Sequence, residues 1–177
     1  NEDLDFIIGL APPGVPGADI LRLQNELILR AQGATEEQIA AQLAFLDEVF
    51  LNLDDPEVIA ELGYENAMAY VESLPEDERA VLGDVEAFAE VTSQSAVEQF
   101  GTPWFQFFLE YDPAPDWAKT TVPVLVIFGG KDLQVDAGQN MGPLEAALAS
   151  GGNDNVEIIV LPEANHLFQQ AETGDPS

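Results

Sequence analysis

The stretch "VPVLVIFGGKDLQV", residues 122–135, decides the fold. Val124 to Phe128 form an unbroken apolar run, and Gly129 and Gly130 end it. A short, β-branched and aromatic run stopped by glycines predicts a strand buried on both faces, as in a parallel sheet. Downstream, "AGQNMGPLEAALASGG" (137–152) reads as a helix, although Gly142 and Pro143 lie within it, and "VEIIVLP" (156–162) reads as a second buried strand. Strand, helix, strand is the signature of a parallel unit with a crossover helix, which places the chain in the α/β class.

Upstream, "DFIIGL" (5–10) is a further short strand, and the Pro-Gly cluster "APPGVPG" (11–17) turns the chain away from it. From about Ala18 to Glu110 the periodicity is helical. "ADILRLQNELILRAQG" (18–33) gathers Ile20, Leu21, Leu23, Leu27 and Ile28 largely on one face, with Gly33 as a stop. Thr35 and Gln38 match a capping box opening "TEEQIAAQLAFLDEVFLNL" (35–53). "YENAMAYVESL" (64–74) and "DVEAFAEVTSQSAVEQF" (84–100) continue the pattern, the latter with Asp84 as N-cap. Thr102-Pro103 opens a short aromatic helix, "PWFQFFLE" (103–110). The expected organisation is a core strand and loop over 1–15, a helical cap over 16–112 and a β-α-β unit over 113–177.

The chain has 33 acidic residues against 5 basic ones, a formal net charge of −28, and only two lysines, Lys119 and Lys131. Nucleic acids and anionic membranes both require a cationic surface, so neither is an expected partner. Such a chain repels itself in dilute salt, and screening at about 1 M salt removes most of that repulsion. Two readings fit the charge: adaptation to a high-salt environment, or an ordinary acidic protein with a solvated surface. No apolar stretch approaches the roughly 20 residues a membrane helix needs, and the sequence assigns no compartment. Without cysteine there is no disulfide, thiolate site or Cys nucleophile.

In parallel α/β sheets the ligand site lies beyond the carboxyl ends of the strands. Asp132 follows the first of the two downstream strands. His166, the only histidine, follows the second in "LPEANHLF" (161–168). A carboxylate beside an imidazole fixes its tautomer and stabilises its charged form, as a general base serving a nucleophile requires. Asp136 is a rival for the acid, but it stands farther from the strand end. "DLQVDAGQN" (132–140) alternates oxygen ligands like a calcium loop, yet Ala137 takes the glycine position and no Glu closes it. One histidine and no cysteine do not make a zinc set, and "GVPG" and "FGGK" lack the glycine spacing of a phosphate loop. No cofactor or metal is expected. Trp104, Phe105, Phe107 and Phe108 fit a helix core, or the lining of an acyl site if their helix belongs to a lid.

"PVLVIFGGKDLQV" followed by "VLPEANHLF" resembles the last two strands of the α/β-hydrolase family, with its triad acid and histidine. The resemblance rests on Pro-Val before the strand, Gly and then Asp in the turn, Leu-Pro, and Asn-His-Leu-Phe. "DFIIGLAPPGVPG" running into a Leu-rich helix with Gln24 is similar to the strand after the nucleophile helix in esterase- and peptidase-like members. "FFLEYDPAP" resembles the return from the lid to the core. The resemblance implies a partial hydrolase core of the last three parallel strands with a large helical cap. It also implies Asp132 as acid, His166 as base and a small acyl ester as substrate.

The family's nucleophile sits in a Gly-x-Ser-x-Gly elbow, ahead of the acid and the histidine. No such motif occurs here: Ser73, Ser93, Ser95, Ser150 and Ser177 all lack the flanking glycines. The expectation is a fragment that supplies acid, base and lid. It would be inactive without the missing N-terminal half, and its open sheet edge would bind that half or a second copy. The alternative is a non-catalytic acidic helical interaction domain, or a hydrolase-like protein that has lost activity.

Overall fold

A computed structural model describes residues 4–174, so Ser177 lies outside the described residues. In chain order the elements are β1 (Ile7–Leu10), α1 (Gly17–Ala31), α2 (Glu36–Leu51), α3 (Pro56–Ser73), α4 (Glu76–Leu82), α5 (Val85–Phe100), α6 (Pro103–Glu110), α7 (Ala114–Ala118), β2 (Val124–Gly129), α8 (Ala137–Ser150) and β3 (Val156–Leu161). The class is α/β, as the sequence predicts. The chain divides into two compact units, one reaching up to Gln32 and resuming at Glu110, the other Gly33–Leu109. Helix α1, which the sequence reading groups with the cap, falls in the same unit as the sheet.

In the sheet unit three parallel strands lie in the order β1-β2-β3. Ile7 stands opposite Val124, and Val124 opposite Val156. Because side chains alternate between faces, Val124, Val126 and Phe128 share one face and are buried with Leu144 and Leu148 of α8. Full burial of each such side chain is worth about 1.5–3 kcal/mol. The opposite face is not closed in the same way. Leu125 and Ile127 are half-buried, while Ile8 and Leu10 are 53% and 60% exposed. The expectation that β2 and β3 are buried on both faces is thus corrected. An apolar run reports hydropathy, whereas burial depends on neighbours that the run itself does not encode.

Three bonds fix the loops against this layer. Asn140 of α8 is wholly buried; its Oδ1 accepts the Gly14 N–H at 2.8 Å and its Nδ2 donates to the Asp136 carbonyl at 3.0 Å. A Cβ at Gly14 would run into the Asn140 carbonyl, so the "PPG" turn needs glycine there. The Trp117 indole N–H donates to the Pro13 carbonyl at 2.9 Å. Helix α8 runs unbroken through Pro143.

The helical unit packs α2, α3 and α5 around buried Ile39, Leu46, Val49, Ile59, Val71 and Phe100. Gly63 lets α3 approach α5: a Cβ there would come within 3.1 Å of the Ala96 Cβ. Phe45, Phe50 and Phe105 meet Phe100 edge-on. The Thr35/Gln38 capping box and the Asp84 cap form as predicted. Helix α3 begins at Pro56, well before Tyr64, because the Asp55 carboxylate caps the Glu57 and Val58 amides. Helix α4 falls within the helical stretch but between the individually predicted helices, and α7 lies beyond that stretch.

Candidate active site

The acid turn starts where β2 ends. Gly130 N–H donates to the Leu161 carbonyl at 2.8 Å, extending the β2–β3 ladder by one rung, and Lys131 N–H donates to the Ala164 carbonyl at 2.9 Å. These bonds bring the two loops into backbone contact. A Cβ on Gly129 would meet the carbonyls of Ala164 and Asn165, and one on Gly130 would meet the Pro162 backbone. The paired glycines are therefore a requirement of close approach, beyond their role as strand stops.

Asp132 is buried, its side chain wholly so. Its Oδ1 accepts two backbone N–H groups, from Gln134 at 2.8 Å and Val135 at 2.9 Å. Its Oδ2 lies 2.9 Å from Nδ1 of His166, across 34 positions of sequence. A carboxylate can only accept, so the imidazole carries its proton on Nδ1 in this bond. Nε2 is then the open acceptor, with no hydrogen-bond partner among the described residues, on a side chain that is 33% exposed. One ring edge is held and the other is left unbonded among the described residues.

The histidine sits in a short loop after β3. Phe168 follows at φ 58°, a left-handed conformation that costs a bulky residue roughly 1–3 kcal/mol. Its ring packs against the sheet's core cluster. Lys131 ties the far side of the loop: its Nζ donates to the Glu172 carbonyl at 2.6 Å and lies 3.7 Å from the Glu163 carboxylate.

The sequence-predicted pair is thus brought together, and the rival is not. The Asp136 Oδ1 accepts the Gln139 N–H at 2.8 Å and caps α8. The calcium-like stretch is accordingly a turn leading into a helix. Among the described residues no cluster of three His, Cys, Asp or Glu could hold a metal ion, and no helix is long and apolar enough to cross a membrane. Elsewhere in the same unit the Tyr111 hydroxyl donates to Asp116 at 2.7 Å, beside the Lys119 ammonium at 3.0 Å. The Tyr111 bond first, and Lys119 second, hold the Asp116 carboxyl below its usual range; the same bond raises the Tyr111 hydroxyl. Sequence reasoning assigned no role to Asn165 or to the Lys131 side chain, although an Asn in a turn is a recognised signal for side-chain-to-backbone bonding.

Over 70 residues the chain is 37% identical to a protein named Esterase EstD from Thermotoga maritima. That stretch is 39% of this chain and spans 16% of the esterase's length. No family model and no solved structure matches. The likeness points to a relationship with hydrolases.

Proposed function

We propose that this chain belongs to an α/β-hydrolase that cleaves carboxylic esters, in which Asp132 is the triad acid and His166 the triad base. The observation that carries the reading is the 2.9 Å bond between Nδ1 and a fully buried carboxylate, which leaves Nε2 without a hydrogen-bond partner among the described residues on a partly exposed side chain. That polarity suits a base: Nε2 takes the proton of an attacking hydroxyl and returns it to the leaving group, while Asp132 orients the ring and stabilises its charged form. The likeness to an esterase over 70 residues supports the reaction class.

No Gly-x-Ser-x-Gly elbow occurs in the 177 residues. In this reading the attacking hydroxyl and the oxyanion donors are contributed by a segment outside them. The open edge of β1, with Phe6, Ile8 and Leu10 exposed beside it, is the proposed surface for taking up that segment or a second copy. The substrate is a small acyl ester, with Gly33–Leu109 as a helical cap. The excess of acidic residues fits work at high salt.

The test is hydrolysis of a short p-nitrophenyl ester by the chain alone and by the chain mixed with a segment bearing the nucleophile elbow. The expected result is no turnover alone and turnover in the mixture, abolished by His166→Ala. Turnover by the chain alone that vanishes in His166→Ala would place a nucleophile within these residues. An inert mixture that has assembled would favour the non-catalytic reading.

A further inference from the structure

Asn165 stands immediately before His166, and its backbone N–H, its backbone carbonyl and its side-chain Oδ1 all bond to the loop that carries the imidazole. Ala164 and Gln170 form an isolated antiparallel bridge, and Ala171 N–H donates to the Glu163 carbonyl at 2.9 Å; together they close the base of the loop. Inside it, Phe168 N–H donates to the Asn165 carbonyl at 2.9 Å, making residues 165–168 a four-residue turn with His166 at its second position. Asn165 N–H donates to the Gln169 carbonyl at 2.9 Å. Its side-chain Oδ1 accepts two further amides, Leu167 N–H at 3.0 Å and Gln169 N–H at 3.0 Å. One residue thus makes four bonds to the segment that begins one position beyond His166.

Those bonds bear on chemistry through the direction of the ring. The backbone at position 166 fixes where Cβ points, and an imidazole has only two side-chain torsions with which to reach Asp132. The same ring could present Nε2 to the carboxylate instead, which would consume the nitrogen that a base must keep free. Which nitrogen carries the proton is set by the bond the ring makes. Two features show that the turn is held rather than relaxed. Phe168 leaves it in the left-handed region, which a bulky residue keeps only when its surroundings enforce it. The next amide, that of Gln169, is one of the two tied to Oδ1.

We infer that Asn165 is a positioning residue: its side-chain carbonyl holds the His166 turn so that Nδ1, and not Nε2, meets Asp132. The inference rests on the reading of the pair as base and acid, but its test needs no turnover. Replacing the amide by a group with no acceptor releases the Leu167 and Gln169 amides, lets Phe168 leave its left-handed conformation and frees the ring to exchange nitrogens. An aspartate of the same shape keeps the acceptor.

His166 is the only histidine, so the imaging of its two ring nitrogens by ¹⁵N NMR is unambiguous in the intact chain. Spectra are recorded at a pH where the ring is neutral, for the wild type, Asn165→Leu and Asn165→Asp, with Asn165→Ala as second variant should the leucine fail to fold. The wild type is expected to show the Nδ1–H tautomer. The variant without an acceptor is expected to shift to a mixture dominated by Nε2–H, and Asn165→Asp to restore Nδ1–H. A purely structural role would lower the unfolding midpoint and leave the tautomer of the folded form unchanged; that outcome overturns the inference. A folded Asn165→Asp chain that loses Nδ1–H, or a wild type already dominated by Nε2–H, overturns it as well. A failed ester assay does not alter these spectra, and an unchanged tautomer in the variants leaves the assay free to succeed.

Discussion

The sheet unit and the helical unit use polar groups in opposite ways. In the sheet unit Asp132, Asn140 and Asn153 are buried, and each bonds to chain distant in sequence or to a loop it must shape. In the helical unit the described residues include no buried polar or charged side chain, and carboxylates and hydroxyls close helix ends from the surface. The charge follows the same division. Residues 33–109 hold 17 acidic residues against one basic residue, Arg79, while the larger sheet unit holds 16 against 4. Directional bonds locate atoms to a fraction of an ångström, as proton transfer demands. Packed helices ask only for apolar volume in the right places, so their outer faces can accept nearly any charge.

The strongest way to break this comparison is at the site. If the proposed triad is right, Asp132→Asn in the chain assembled with a nucleophile-bearing segment should lower kcat for the ester about 10⁴-fold, because an amide can support the wrong tautomer of the base. Asp84→Asn, an equally small change in the helical unit, should leave kcat untouched, since Asn caps a helix as well as Asp does. Steady-state kinetics on the two variants compares them directly, and equal losses would end the distinction.

A smaller effect tests stability. Asn140→Ala leaves the buried Gly14 N–H without a partner and should cost about 1–3 kcal/mol. Thr35→Ala removes one surface cap and should cost about 1 kcal/mol. The two tryptophans make the reading separable, since Trp104 reports on the helical unit and Trp117 on the sheet unit. Urea unfolding followed in Trp104→Phe and Trp117→Phe backgrounds should show each loss in its own unit. A Thr35→Ala cost above that of Asn140→Ala would reverse the ranking.

The smallest effect sharpens the contrast in charge. Both units should gain stability as sodium chloride rises from tens of millimolar to molar, because screening relieves like-charge repulsion. The helical unit, with more excess charge on fewer residues, should gain more, by a few degrees in midpoint if the difference approaches about 1 kcal/mol. Equal gains at the two tryptophans, or none, would remove charge density as the cause.

Much of the site was legible because its grammar is short-range. A strand end, two glycines and an acid lie within "VIFGGKD", and the second strand end and the imidazole lie within "IIVLPEANH". Parallel pairing then brings two strand ends to one edge whatever lies between them. The residues that escaped notice bond to groups without sequence identity. Asn165 accepts backbone amides, Asn140 accepts the amide of a glycine 126 positions away, and Lys131 donates to a carbonyl. The first turns of α3 were hidden for a similar reason, since Asp55 caps two amides just past Pro56. The open face of the sheet was beyond reach because Ile8 and Leu10 look the same in sequence whether or not something covers them.

That open face, set in so anionic a chain, has a colloidal consequence. Phe6, Ile8 and Leu10 offer a short-range adhesive surface, while the chain's net negative charge sets a long-range barrier between copies. The two forces differ in reach, so they respond differently to the solvent. Near the isoelectric point, about 4.1, the barrier falls while the adhesive remains. Added salt also shortens the barrier. If the gain in stability with sodium chloride is found, the ions that steady one copy would also bring it closer to sticking to the next.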